Sequence, residues 1–421
     1  MSRKIVAFFP HNPYPPRTGA HKRALEVLGG LRVLGHHVVL ASSELSSETP
    51  WTAASSAALR RDWVDDVRLY TPSPDDRRLL QWVSRLYRYS HVTPPIDSFL
   101  NSPPRMRRWF TNIVEATHAD TILMAYAFWN GLINHRRFAS LLRIIDIYDP
   151  VSLSSALQRD VRQHLTFPLP SLEMIDDKVL REDFYSQTNR GVRRSEYTIF
   201  DRYDYTIALS QREIELIREH TNHTTAVYLP VTHAPCYVTN TYDGGAIFPA
   251  GPNVFNMQGY VYFVKRVLPR VLDKAPSFKL DVTGSLQLPP IPGGHVVHRG
   301  FLPDLALAFA AARFLVCPVF GGTGQQIKVV EAMAHGLAAV VLQSTAQWSP
   351  VRHRENGLVA HDAEEFAACV AELWNDPDLC RRLGQAARQT IEAEFSTERL
   401  LKTLETMVGG SSAPPRGGDV R

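Results

Sequence analysis

The chain has 421 residues, too many for one ordinary core, so two domains of roughly 150–230 residues each are expected. With 46 basic and 42 acidic residues the formal net charge is only +4, too small to argue for nucleic-acid binding. No apolar run approaches the ~20 residues that cross a bilayer, and the opening MSRKIVAFFP has no signal-peptide pattern, so a cytoplasmic protein is expected.

The predicted elements alternate from the start. KIVAFF is a short apolar run, AHKRALEVLGGLRVLG carries apolar residues at helical spacing, and HHVVLAS is a second run: a βαβ opening. Residues 44–118 are less regular, with arginines crowded among aromatic residues in DDRRLLQWVSRLYRY and PPRMRRWF. DTILMAY and LRIIDIYD read as strands. Residues 150–197 read as polar helix, and DYTIALS, QREIELIREH and TAVYLPV as strand, helix and strand. THAPCYVTNTYDGG, rich in turn formers, marks a linker. Beyond it AIFPAG, FKLDVTG, HVVHRGFL, FLVCPV and AAVVL are strands separated mostly by helical segments, and GGSSAPPRGGDVR has the composition of a disordered tail. Such alternation gives parallel sheets covered by helices. The expected division is 1–231, a linker at 232–246, a second domain at 247–408 and a tail at 409–421.

CPVFGGTGQQIKVVEAMAHGLAAVV, residues 317–341, is the most informative stretch. An apolar run ends in a loop where Gly321, Gly322 and Gly324 let the backbone approach a ligand, and the amides of the following helix favour an anion. A phosphate or diphosphate is the natural guest. Lys328 adds a positive charge, and Glu331, three residues on, shares its helix face and can accept hydrogen bonds from hydroxyls. Val329, Val330, Met333 and Leu337 make the buried side. The spacing fits neither a P-loop nor a dinucleotide fingerprint.

GGTGQQIKVVEAMAHGLAAVVL resembles the donor-site signature of the group 1 glycosyltransferases of the GT-B fold, with Gly322, Gly324, Lys328, Glu331, Ala332, Ala334 and Gly336 in register. PYPPRTGAHKRALEVLGGLRVLGHHV is similar to that family's N-terminal loop and helix, and GPNVFNMQGYVYFVKRVLP to the first βα unit of its donor domain. The resemblance implies an α/β chain of two Rossmann-like doubly wound domains facing a central cleft. It implies a nucleoside-diphosphate sugar as donor, UDP- or GDP-linked, with no further cofactor and no metal, and retention of anomeric configuration. Glu331 would hold the ribose hydroxyls, the amides of Gly322, Thr323, Gly324 and Gln325 would cradle the diphosphate, and Gly19 would border it from the first domain. Thr323 stands where many members carry a second glutamate, Ala20 where many carry a glycine, and Tyr126 where many carry a histidine. An inactive nucleotide-binding partner subunit and a nucleotide-sugar epimerase are the alternatives.

His11 and Asn12 follow the first strand and are candidates for the acceptor, with Tyr126 after the fourth. Arg17, His21, Lys22 and Arg23 surround Gly19 at a helix start, where a guanidinium suits phosphate. Asp146 and Asp149 end a strand on the ligand side. Asp149 is a candidate catalytic carboxylate, with Lys328 as its cationic counterpart, but Asp before Pro150 is also a common turn and helix entry. Asp376-Pro377-Asp378 reads as a cap and turn, no cluster has metal spacing, and the four cysteines form no C-x-x-C pair. The interleaved basic and aromatic residues of 74–110 suit peripheral contact with an anionic membrane, and equally a solvated helix pair.

Overall fold

The computed structural model describes residues 2–45, 49–91, 93–165, 169, 171–185, 194–286, 288–289 and 291–409. The chain forms two compact units, one of residues 1–152, 192–232 and 397–421, the other of residues 153–191 and 233–396.

The first unit is built on seven strands: β1 Lys4–Phe8, β2 His37–Ser43, β3 Asp66–Tyr70, β4 Thr121–Ala125, β5 Leu142–Asp146, β6 Tyr205–Ala208 and β7 Thr225–Tyr228. All pairings are parallel, in the order β3-β2-β1-β4-β5-β6-β7, with Val6 facing Val39 on one side and Ile122 on the other. A parallel sheet needs both faces covered. One face is closed by the helix Gly19–Val33, through Leu25 and Leu28, and by the helix Thr397–Gly409, through Leu400, Leu404 and Met407. Gly30 permits that approach: a Cβ there would lie 2.8 Å from Leu404 Cδ1.

The second unit carries β8 Ala246–Pro249, β9 Leu280–Thr283, β10 Val296–Gly300, β11 Leu315–Cys317, β12 Ala339–Leu342 and β13 Gly357–Ala360, again all parallel, in the order β10-β9-β8-β11-β12-β13. Leu157, Val161, Leu165, Ile175, Val179, Leu180 and Phe184 join its core. The stretch expected to close the first domain as polar helix thus packs, from Leu153 onward, with the second unit, and the last helix returns to the first. Amphipathic spacing shows that a helix has a buried face, not which sheet it covers. The expected linker 232–246 is irregular as far as Gly245, and nearly all of the expected tail lies outside the described residues.

The winding direction reverses between β1 and β4 in the first sheet and between β8 and β11 in the second. In doubly wound sheets the crevice beyond the carboxyl ends of such strands is where ligands bind. At the opposite end of the second sheet two helices pack closely. A Cβ on Gly384, in the helix Pro377–Glu394, would lie 2.0 Å from Gly336 O, just past the end of the helix Ile327–Ala334. Helix propensity alone would make Gly384→Ala stabilising by about 1 kcal/mol, but overpacking typically costs about 1–3 kcal/mol and here meets backbone. We expect a lower melting temperature; a higher one would contradict this packing.

Candidate functional site

Gly322 and Gly324 follow β11 with φ of +110° and +72°, the left-handed region their lack of a Cβ makes accessible. Gly321 is sterically required: a Cβ there would lie 2.4 Å from Tyr185 Oη and 2.6 Å from Phe255 Cδ1. The loop therefore rests on two aromatic rings, Tyr185 being fixed by its hydrogen bond to Gln258 Oε1 at 2.7 Å. The next helix, Ile327–Ala334, receives no side-chain cap from Gln326. Thr323 and Gln325 sit half-buried in the loop.

Lys328 turns towards the crevice. Its Nζ donates to Asn256 Oδ1 and lies 4.9 Å from the centre of the Phe248 ring, and Asn256 Nδ2 bonds Gly251 O at 3.0 Å. Burial pulls the ammonium pKa below the ordinary lysine value, the Cys317 thiol opposing it. A cation is thus fixed between the loops that follow β8 and β11. Glu331 is half-buried, while Val329, Val330, Met333 and Leu337 are fully buried, so the helix divides into polar and core faces as its spacing requires. Asn256, Tyr185 and Phe255 were not identified from sequence; only the Asn253 cap of the helix Val254–Tyr262 carries a local signal there.

In the first unit Thr18 caps the helix that opens with exposed Gly19. His11 packs edge-on against Phe9 at 5.9 Å and lies 6.4 Å from His21, whose Nδ1 accepts from Arg17 N at 3.3 Å. Asn12, a candidate for the acceptor, is turned inward: fully buried, its amide donates to Pro50 O at 2.9 Å and Ser55 Oγ at 3.1 Å while its Oδ1 accepts from Tyr14 N. Its side chain holds loops together. Arg23 is also buried, paired with Asp146 at 2.9 Å and donating to Pro230 O at 2.9 Å, so it is not placed to meet phosphate. Lys22 lies 3.9 Å from Glu26.

Tyr126 and Tyr148, at the ends of β4 and β5, have φ of +62° and +57° and stack at 4.4 Å with planes 21° apart. Two bulky residues at positive φ, side by side beyond the carboxyl ends of neighbouring strands, mark stored backbone strain of the kind that gathers at functional sites. Glu196 caps the helix Val151–Arg162, accepting from Val151 N at 2.8 Å and Ser152 N at 3.0 Å. Asp149 lies near Glu213, a buried carboxyl that accepts from Leu209 N and Ser210 N and is pushed up to about 8 by burial, with the Asp149 charge adding to the shift. Asp376 is a helix cap, accepting from Leu379 N at 2.9 Å, and no group of three or more metal-ligating side chains occurs among the described residues.

Residues 246–376 match the family model described as glycosyl transferases group 1. That span runs from β8 through the helix Ala363–Asn375 and includes Lys328 and Glu331. A putative glycosyltransferase, EpsD of Bacillus subtilis (strain 168), is 30% identical over 112 residues, which are 26% of this chain and 29% of that protein. The chain thus matches less than a third of the length of that relative. Sucrose-phosphate synthase from Thermosynechococcus elongatus superposes with a TM-score of 0.60 at 15% identity, covering 96% of this chain and 98% of its own. HepE of Anabaena, solved with UDP and glucose, gives 0.57 at 12% identity over 97% and 99%. The chain has the GT-B fold, and its segment 246–376 matches the model of the group 1 glycosyl transferases.

Proposed function

We propose that the chain transfers a sugar from a nucleoside-diphosphate sugar to an acceptor hydroxyl. The observation that carries this is the arrangement after β11: a glycine loop, a helix start that Gln326 leaves uncapped, the cation of Lys328 held by Asn256, and Glu331 one turn on. The amides and Lys328 offset charge building on the leaving diphosphate, the electrostatic role that usually supplies the largest catalytic contribution. Glu331 accepts both hydrogens of the ribose diol. No metal is required, because helix amides and an ammonium group meet the diphosphate charge. UDP or GDP is the nucleotide, and the UDP and glucose held by HepE favour UDP. The transfer retains anomeric configuration, with the leaving phosphate helping to deprotonate the acceptor and Asp149 orienting its hydroxyl. His11 and Tyr126 lie on the acceptor side, and Gly19 borders the diphosphate. A lipid-linked saccharide, a polysaccharide precursor or a small aglycone is the acceptor, handled in the cytoplasm.

Hydrogen bonds to a charged group contribute about 1.5–3 kcal/mol, so Glu331→Ala should weaken UDP binding roughly 10- to 150-fold, and Glu331→Gln less. The melting temperature should stay unchanged, since Glu331 is off the core face. Calorimetry with UDP and GDP, paired with a thermal melt, reads both. Unchanged affinity would place the ribose elsewhere.

The helix Pro74–Ser90 supports peripheral membrane contact. Leu79, Trp82, Leu86 and Tyr89 recur at spacings that share one face, Trp82 is 62% and Tyr89 81% exposed, and Arg78, Arg85 and Arg88 flank them. No helix among the described residues is long and apolar enough to span a bilayer. Flotation with phosphatidylglycerol vesicles should show binding at low salt that falls roughly 30-fold in Arg85→Ala/Arg88→Ala, at about 1 kcal/mol per cation. Absence of binding at low salt would leave a soluble acceptor.

A further inference from the structure

The first unit contains a cavity of about 840 Å³ between the helix Pro104–Ala116 and the segment that follows β4. Arg107, Arg108, Arg136, Arg137 and Arg202 line it, against a single carboxylate, Glu115. Arg137 is paired with Glu115, Arg202 lies 3.8 Å from Asp97, and Arg107 is held by its bonds to Ser102 O at 2.7 Å and Ser102 Oγ at 3.1 Å. Arg108 and Arg136 have neither ion-pair nor hydrogen-bond partners among the described residues, and both are exposed. His135, also in the wall, adds no charge near neutral pH, because burial and the neighbouring Arg143 and Arg202 guanidiniums push it down to about 4. Gly131 closes the wall tightly: a Cβ there would lie 2.4 Å from Ser102 Oγ and 3.1 Å from an Arg107 nitrogen.

Guanidiniums gathered around a concave surface repel one another and focus a positive potential inside it, a cost that a bound anion removes. Their planar forks match the oxygens of phosphate, in pairs and from several directions. The volume falls in the range of small-molecule sites, about 300–1,000 Å³, far more than a lone phosphate needs. We propose that this cavity binds a phosphate-bearing ligand of two or more negative charges, with Arg108 and Arg136 as its principal contacts and Arg107 and Arg137 as the fixed wall. The site is built wholly from the first unit and stands whether or not the donor reading is correct. The phosphate comes from a soluble phosphorylated compound or from a lipid headgroup.

The test titrates the full chain with inorganic pyrophosphate by calorimetry and compares Arg108→Glu/Arg136→Glu with Arg381→Glu/Arg382→Glu, an equal charge change at exposed positions outside the cavity. The cavity variant should bind roughly ten-fold or more weakly, and the control should bind as the parent does. Pyrophosphate held at the glycine loop does not respond to the cavity variant, and UDP titration of that variant reports the donor site separately. Arg108→Gln/Arg136→Gln, which removes the charges without reversing them, should show the same loss in smaller degree with an unchanged melting temperature. Parent-like affinity in both cavity variants overturns the proposal, as does an equal loss in the control. Vesicles containing phosphatidic acid, whose phosphomonoester approaches two charges, divide the sources when the chain also carries Arg85→Ala/Arg88→Ala to remove the contact of the helix Pro74–Ser90: binding lost on adding the cavity substitutions identifies a headgroup, and an absence of difference identifies a soluble phosphate.

Discussion

Replacing Asp146 by alanine is expected to destabilise the protein by about 3–5 kcal/mol. Its side chain is 4% exposed and that of Arg23 0%, and the two meet at 2.9 Å at the end of β5. Removing one partner of a dry ion pair leaves the other charged and uncompensated, whereas replacing both with apolar groups of similar volume is often close to neutral. Arg23→Met/Asp146→Leu should therefore be more stable than Asp146→Ala alone. Tyr148 lies two residues beyond the pair with its positive φ, so the same ion pair anchors the strand end from which the stacked tyrosines project. Urea midpoints with unchanged slopes would measure the difference. A loss below about 1 kcal/mol would show that water reaches the pair.

The second large effect is a dependence on pH. Glu213 is pushed up to about 8 in the folded chain from an ordinary 4.5, first by burial and then by the charge of Asp149. Its folded pKa is raised, so its stabilising contribution is complete below about pH 4.5 and is lost as pH rises towards 8, where the unfolded chain ionises and the folded one resists. The shift corresponds to roughly 3–5 kcal/mol at 1.36 kcal/mol per unit. His135, pushed down to about 4, acts in the opposite sense between about pH 4 and 6.5. The parent alone is therefore a poor readout, and the difference between parent and Glu213→Gln isolates one group. Glutamine keeps an oxygen for Leu209 N and Ser210 N without a charge. Its melting temperature should rise relative to the parent between pH 5 and 8; a constant offset would mean that Glu213 is solvated.

The alternation of short apolar runs and amphipathic stretches was enough to read two parallel sheets, because each element's own spacing records its burial. The glycine loop, Lys328 and the core face of Val329, Val330 and Met333 were legible for the same reason: they lie within one continuous segment. What escaped depends on partners distant in sequence. Glu196 caps a helix 45 residues before it, and Tyr185 bonds to Gln258, 73 residues on, beneath Gly321. No local pattern distinguishes Asn12, saturated by Pro50 and Ser55, from an asparagine facing a ligand. The helices after Leu153 carry no mark of the sheet they join, so the early part of the chain was assigned whole to one domain.

The most direct test of the account incubates the full chain with a panel of UDP- and GDP-sugars without acceptor, with and without excess chelator, and measures release of the nucleoside diphosphate. One donor should be consumed, at the same rate in chelator, and Glu331→Ala should lower the release at subsaturating donor. Nucleotide binding with no turnover of any donor would instead identify an inactive GT-B partner subunit, and release abolished by chelator and restored by manganese or magnesium would contradict the donor site built on Lys328 and the helix amides.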